Sequence, residues 1–450
     1  MRGPEAPSDH VTPYDRIALS DAQVESLLVS GEHAQELSAY FGEDEYRALT
    51  RLARAAAAAR VRRDAGRTII VPGIMGTQLG MPRRPPLPPD ILWLDPVDIG
   101  AGRLTALTVA GGDGVIAYGA VLYSYLRLKL HLRAAGFAPL LHYYDWRRDV
   151  TLLGAELAAR VQREDAAEVA VIGHSLGGLV GRAALAHPGG ERVQRLVLLG
   201  TPNSGSCAAV QALRGTYPVV RKLARLDATH SAETLAAHVF SSFPSLYQML
   251  PTPGRAGPLD LFDPSIWPRS GPQPSAELLA LGRDTARRLP VPDERCVVIV
   301  GVGEETVTRL ARRREDFVYT ITRHGDGTVP TVCAELAGAH HYYARVSHSE
   351  LTRDATIASA VIDLLRHGAT ARLAERWRSA SRAFARIGDR ELGRTQLPKV
   401  EWARLAPEER RLFLQNLNEP PKLRLRAPRA AQRAHRPKRP GPRRARRAGA

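Results

Sequence analysis

The sequence predicts an α/β fold: a mostly parallel sheet with helices on both faces and an inserted cap. Three observations predict it. Short apolar, β-branched runs alternate with helical periodicity between residues 67 and 370. One of those runs ends in Gly173-His174-Ser175-Leu176-Gly177, and a long stretch, 203–290, interrupts the alternation. Alternating strands and helices favour parallel pairing, because each crossover lays a helix on a sheet face.

Residues 1–66 are expected to form a helical N-terminal extension. Leu27, Leu28, Ala34, Leu37, Tyr40 and Phe41 recur at helical spacing, and 48–60 is rich in Ala, Arg and Leu. Thr68-Ile69-Ile70-Val71 then reads as a buried parallel strand stopped by Pro72-Gly73. A Pro-rich loop at 82–90 precedes the apolar 91–94. Next come a helix over 119–135, a strand at 137–144, a helix over 151–164, a strand at 168–173, a helix over 176–186 and a strand at 193–199. Strands at 296–302 and 341–346 and an amphipathic helix over 353–366 close a core domain spanning 67–370. The 203–290 interval holds helical patches, an aromatic-rich run at 240–250 and a Pro/Gly-rich stretch at 251–274. So long an excursion within an α/β core has the size of a functional insertion, hence a cap or lid. Residues 371–450 are expected to form an Arg-rich helical extension and, beyond about 420, a disordered basic tail.

Composition narrows the class. An apolar fraction of 44%, a charged fraction of 24% and a mean hydropathy of −0.22 suit a soluble globular chain. No apolar run is long enough for a membrane-spanning helix, and the first residues have no signal-like apolar core. Cys207, Cys296 and Cys333 are odd in number and far apart, which excludes a disulfide framework and fits a reducing compartment. The expected location is therefore cytoplasmic, with peripheral contact at a membrane or lipid surface left open. Of the net charge of +17, twelve units fall in 422–447, a stretch without Asp or Glu. Only five of the 63 basic residues are lysine, so Arg and Ala abundance reflects GC-rich coding rather than phosphate contacts. Nucleic acid is not an expected partner. The tail is read first as a solvated disordered segment, with an electrostatic anchor for anionic lipid or nucleic acid as the alternative.

The chemistry centres on Ser175. A G-x-S-x-G pattern between a strand and a helix places the serine on a sharp turn. Gly173 and Gly177 remove the Cβ atoms that would clash there, and the following helix N-terminus favours developing negative charge. A serine hydroxyl needs a base, and the base an orienting carboxylate, here in the chain order Ser, acid, His. Asp326 in Gly325-Asp326-Gly327-Thr328-Val329-Pro330 and His348 in Ser347-His348-Ser349 occupy those places. Glu304 and Glu305 are the alternative acids. They rank lower because Asp326 directly precedes the histidine-bearing strand in a glycine-flanked turn. His174 should point away from the Ser175 hydroxyl. His324, His340 and His341 cluster near the acid, yet adjacent strand residues face opposite sides, so no metal site is expected. Two amides must face the oxyanion: Leu176, which follows the nucleophile, and Ile74 in Pro72-Gly73-Ile74-Met75-Gly76-Thr77. No cofactor is called for.

Taken in order, Pro72-Gly73-Ile74-Met75-Gly76-Thr77, Tyr144-Asp145-Trp146-Arg147, His174-Ser175-Leu176-Gly177-Gly178, Gly200-Thr201-Pro202, Gly325-Asp326-Gly327-Thr328-Val329-Pro330 and Ser347-His348 resemble the lecithin:cholesterol acyltransferase-like proteins. That family includes lysosomal phospholipase and phospholipid:diacylglycerol acyltransferase. The resemblance covers 67–366. It implies an α/β-hydrolase fold, the same triad and oxyanion amides, and acyl-ester chemistry on lipids, either hydrolysis or O-acyl transfer. The secreted members form disulfides that this chain has no cysteines to match, and the 203–290 insertion does not align residue by residue. Tyr144-Asp145-Trp146-Arg147 is expected to brace the fold, while aromatics at 91–94 and 240–250 are expected either to line an acyl channel or to fill the cap core. An esterase or thioesterase for soluble substrates, and a catalytically silent scaffold, are the alternatives.

Overall fold

The computed structural model describes residues 19–417 except 62–65, 86, 110–113, 167, 379–383 and 395–397; the tail expected beyond 420 lies outside the described residues. The chain opens with three helices, α1 (Asp21–Ser30), α2 (Ala34–Phe41) and α3 (Glu43–Ala58). Ser20 caps α1 through a reciprocal pair with Gln23, and Gly31, at φ 82°, ends it. The core then runs β1 (Arg67–Val71), β2 (Thr77–Met81), β3 (Asp90–Trp93), α4 (Pro96–Gly100), β4 (Ile116–Ala120), α5 (Leu122–Ala134) and β5 (Ala138–Leu141). It continues with α6 (Val150–Gln162), β6 (Val169–His174), α7 (Leu176–Ala184) and β7 (Val193–Leu199). A helical insertion follows: α8 (Cys207–Leu213), α9 (Pro218–Leu226), α10 (Ala232–His238), α11 (Pro244–Tyr247) and α12 (Ala276–Arg288). The rest is β8 (Cys296–Gly301), β9 (Thr306–Arg313), β10 (Asp316–Thr322), α13 (Thr331–Ala334), β11 (His340–Ala344), α14 (Ala355–His367), β12 (Ala385–Gly388), α15 (Asp389–Arg394) and α16 (Pro407–Gln415).

Six strands form one sheet in the order β11-β8-β7-β6-β1-β5, and every pair in it is parallel. These strands are apolar at consecutive positions because both faces are covered. Ile69, Val171 and Leu198 point toward Leu157 and Leu179 of α6 and α7. Ile70, Ile172 and Val197 point the other way, toward Leu128 of α5 and Val361 of α14. The opposite side of α5 carries Leu122, Leu126 and Leu130 into a separate cluster with Val24, Leu28, Leu37 and Phe41 of the N-terminal helices. Lys129 on α5 is buried in that seam and paired with Asp21 and Glu25.

Two antiparallel three-stranded sheets flank the core, β3-β2-β4 and β12-β10-β9. Neither is among the elements expected from the sequence. The 371–450 extension also departs from expectation over its described residues. Its helical content is broken into the short α15, α16 and a single 3₁₀ turn at Trp402–Arg404, and Ala385–Gly388 pairs along β10 as a strand. The reason is tertiary: β10 has an open edge, and Asp389 follows β12 into a buried set of partners. Its carboxylate meets Arg214 Nε at 2.9 Å and also bonds Thr216 and Tyr319. Lys399 Nζ caps carbonyls of the insertion at Ala224 and His230, so the C-terminal segment is strapped to the helices of 203–290. Among the described residues no helix is long and apolar enough to cross a membrane.

Candidate active site

Ser175 stands where β6 turns into α7, at φ 53° and ψ −123°, a conformation that costs an L-residue roughly 1–3 kcal/mol. The surrounding glycines explain how the turn is tolerated. A Cβ on Gly173 would lie 2.5 Å from Gly178 Cα, and one on Gly177 would lie 2.2 Å from the Val71 carbonyl oxygen. Register does the rest: Gly173 is paired with Val71 on one side and Leu198 on the other, so the turn emerges at the carboxyl edge of the central strands. Ligands of open parallel sheets bind at that edge.

Asp326 and His348 reach the same edge from β8 and β11. Asp326 follows the β9–β10 hairpin. Its Oδ1 accepts from the Thr328 and Val329 amides at 2.9 and 2.7 Å, and its Oδ2 accepts from His348 Nδ1 at 2.7 Å. The His348 amide also donates to the Asp326 carbonyl at 2.8 Å, so side chain and backbone of the two loops are joined. With Nδ1–H spent on the carboxylate, Nε2 is left as the basic nitrogen. Gly301 and Gly200 make room, since a Cβ on either would come within 3.1 Å of the Asp326 side chain. The alternative acids sit elsewhere: Glu305 pairs with Arg323, and neither it nor Glu304 bonds His348.

Leu176 directly follows Ser175, and a Cβ on Gly73, the neighbour of Ile74, would lie 2.9 Å from Ser175 Cβ. Leu176 is the first residue of α7, where an N–H has no intrahelical acceptor. Ile74 lies in a turn closed by Gly76 N–H to the Gly73 carbonyl at 3.0 Å, with Met75 at φ 62°. That turn is braced on three sides. Tyr144 Oη donates to the Pro72 carbonyl at 2.5 Å, Trp146 Nε1 to Thr77 at 2.9 Å and Trp93 Nε1 to Met75 at 2.8 Å. Arg147 forks onto Asp145 and reaches the Leu107 carbonyl.

Ser175 and His348 open into one partly enclosed cavity of about 90 Å³. The insertion supplies its far wall, with Ala208, Ala209 and Ala212 of α8, Val219 of α9, Leu246 of α11 and Met249 just after it. No Lys, Arg, Asp or Glu lines it among the described residues. The aromatics of 91–94 and 240–250 are not its lining. Trp93 packs edge-on against Trp146, and Phe243 packs against Trp146 and Phe240, in the core. The cavity's aromatic lining comes instead from Tyr125 and Tyr217, beside the alanines of α8.

Two lining residues were given no task in the site by the sequence reading, Tyr125 and His174. Tyr125 on α5 accepts from the Gly73 amide at 2.8 Å, and its hydroxyl lies 3.0 Å from His174 Nδ1. His174 Nε2 lies 3.1 Å from the His348 carbonyl, so the side chain points into the wall beside His348. Burial, reinforced by His348, pushes the His174 imidazole down to about 3, which keeps it neutral. Of the other histidines, His341 Nε2 accepts from the Leu336 amide and His340 faces Glu375. Among the described residues no group of three or more His, Cys, Asp or Glu is arranged to hold a metal ion.

Comparison with known proteins adds a family segment and several distant structures. Residues 141–241 match the family model of the PGAP1-like alpha/beta domain, a span that contains Ser175 but neither Asp326 nor His348. The match is not to the lecithin:cholesterol acyltransferase-like family that the motifs resemble. No curated protein matches the chain. Among solved structures, the Tle4–Tli4 complex aligns at 15% identity and a TM-score of 0.47 over 67% of this chain and 98% of that one. The propeptide form of Bacillus licheniformis lipase BlEst2 aligns at 14% and 0.38 over 72% of this chain. This chain spans only 55% of that lipase's length. Aspergillus fumigatus lipase B aligns at 14% and 0.33 over 85% and 72%. The parallel sheet, the strained serine turn at its carboxyl edge and the PGAP1-like segment together give the chain an α/β-hydrolase fold.

Proposed function

We propose that the chain is a serine-dependent hydrolase of lipid acyl esters. The observation that carries the reading is the 2.7 Å bond from His348 to Asp326 at the mouth of an apolar cavity that also holds Ser175. His348 Nε2 takes the Ser175 proton as Oγ attacks the ester carbonyl, and the oxyanion rests on the Ile74 and Leu176 amides. The tetrahedral species collapses, and the departing alcohol takes the proton from His348. Water, deprotonated by the same nitrogen, then attacks the acyl-enzyme. The second tetrahedral species expels Ser175 Oγ, which takes that proton back from His348, and the fatty acid is released. An uncharged cavity wall suits an aliphatic acyl group and disfavours an acyl moiety that carries charge.

A second reading replaces water with an alcohol, giving O-acyl transfer. The ordered motifs shared with the lecithin:cholesterol acyltransferase-like proteins favour it. Product analysis on phospholipid vesicles, with and without a long-chain alcohol, separates the two. Fatty acid alone means hydrolysis, and a new ester means transfer. Activity on soluble short-chain esters with none on vesicles would replace both with a soluble-substrate esterase.

A further inference from the structure

Three loops must hold their places together for acyl chemistry here: the Pro72–Thr77 turn, the serine turn and the loop bearing His348. A single line of hydrogen bonds joins all three. It starts at the Gly73 amide, immediately before Ile74, and passes to Tyr125 Oη at 2.8 Å. From there it reaches His174 Nδ1 at 3.0 Å and, through His174 Nε2, the carbonyl of His348 at 3.1 Å.

The polarity of this line is determined. An amide can only donate, so Tyr125 Oη accepts from Gly73 and turns its own hydrogen to His174 Nδ1. Nδ1 therefore accepts, the imidazole proton sits on Nε2, and Nε2 donates to the His348 carbonyl. Only one tautomer of a neutral ring satisfies both ends. The surroundings keep the groups in those states: burial raises the Tyr125 phenol well above its ordinary range and lowers the His174 imidazole to about 3. The rings are packed as well as bonded, with centroids 5.9 Å apart for Tyr125 and His174 and 4.9 Å for His174 and His348. Tyr125 itself is fixed on α5, between the sheet and the N-terminal helices, so the line is anchored to rigid structure.

We propose that Tyr125 and His174 are positioning residues that tie the oxyanion-side turn to the loop of the general base. The proposal rests on the serine-hydrolase reading above. It assigns a task to the histidine of Gly-His-Ser and to a tyrosine far from it in sequence. Cutting the line lets the Ile74 amide and His348 drift independently. A misplacement on the order of 1 Å costs about 10²-fold in rate.

The test uses the whole chain and a p-nitrophenyl acyl ester, with active sites titrated by a fluorophosphonate. Tyr125→Phe and His174→Ala should each lower kcat per titrated site by about 10- to 100-fold while KM changes less than about threefold. The double variant should be little worse than either single one, because both cut the same line. His174→Gln, which keeps a distal N–H donor, should recover part of the kcat lost in His174→Ala. Unchanged kcat per titrated site in folded single variants would overturn the proposal, as would full multiplicative losses in the double. Wild-type protein that fails to label would instead overturn the underlying hydrolase reading.

Discussion

The buried imidazole of His174 makes a quantitative prediction about stability and pH. Its folded-state pKa of about 3 lies far below the 6.5 of a free imidazole, and the residue is 7% exposed. Between those values the unfolded chain binds a proton that the folded chain refuses. Unfolding is thus favoured as pH falls, and the stability present near neutrality is lost on descending through 6.5. At pH 7 the effect is only about 0.2 kcal/mol, whereas at pH 5 it amounts to about 2 kcal/mol. Replacing His174 with Gln removes this term and leaves the other histidines untouched. Urea unfolding of wild type and His174→Gln should therefore show the gap between their stabilities move by about 2 kcal/mol in the variant's favour between pH 7 and pH 5. A gap independent of pH would show that His174 is not held neutral in the folded protein, and the direction of the Tyr125–His174 bond would fall with it.

Further substitutions test the neighbouring structure. Gly177→Ala sets a Cβ 2.2 Å from the Val71 carbonyl oxygen and 2.4 Å from that of Pro72, both backbone atoms. It should cost more than about 3 kcal/mol, measured by thermal or urea unfolding. Asp389→Ala leaves Arg214 buried without its carboxylate and should cost about 3–5 kcal/mol. Limited proteolysis of that variant should release the C-terminal segment ahead of the core. Ala212→Leu fills the cavity wall on α8. It should lower kcat/KM for octanoyl relative to acetyl esters by about tenfold or more, and an unchanged ratio would remove α8 from the acyl pocket.

The central sheet is legible in the sequence because strands buried on both faces are written as unbroken apolar runs; the strand read at 193–199 is Val193–Leu199 in the structure. The flanking sheets are written less plainly. β10 does show a signal, the alternation of Phe317, Tyr319 and Ile321 on the buried side, but the sequence reading assigned no element between the strand at 296–302 and Asp326. β2 to β4 are short and joined by an irregular register that shifts at Leu79. β12 is four residues in an Arg-rich stretch, and only the edge of β10, distant in sequence, makes it a strand. The candidate triad is legible for a different reason. Strand–turn–helix chemistry marks Ser175 locally, and chain order points to Asp326 and His348. Tyr125 carries no such mark, since a tyrosine within a helix reads as core and its hydroxyl acquires a role only through two loops that the fold brings to it. Of the two expectations for the aromatics of 91–94 and 240–250, the structure favours core packing, because Trp93 and Phe243 pack edge-on against Trp146, and Phe240 against Phe243.

The central claim, that Ser175 is a nucleophile activated by His348 and Asp326, is tested most directly by intact-mass analysis after treatment with a fluorophosphonate. The wild-type chain should gain one phosphonyl adduct, mapped to the peptide containing Ser175, while folded Ser175→Ala gains none and Asp326→Asn reacts about 10⁴-fold more slowly. An adduct of equal yield on Ser175→Ala, or no adduct on folded wild-type protein, would contradict it.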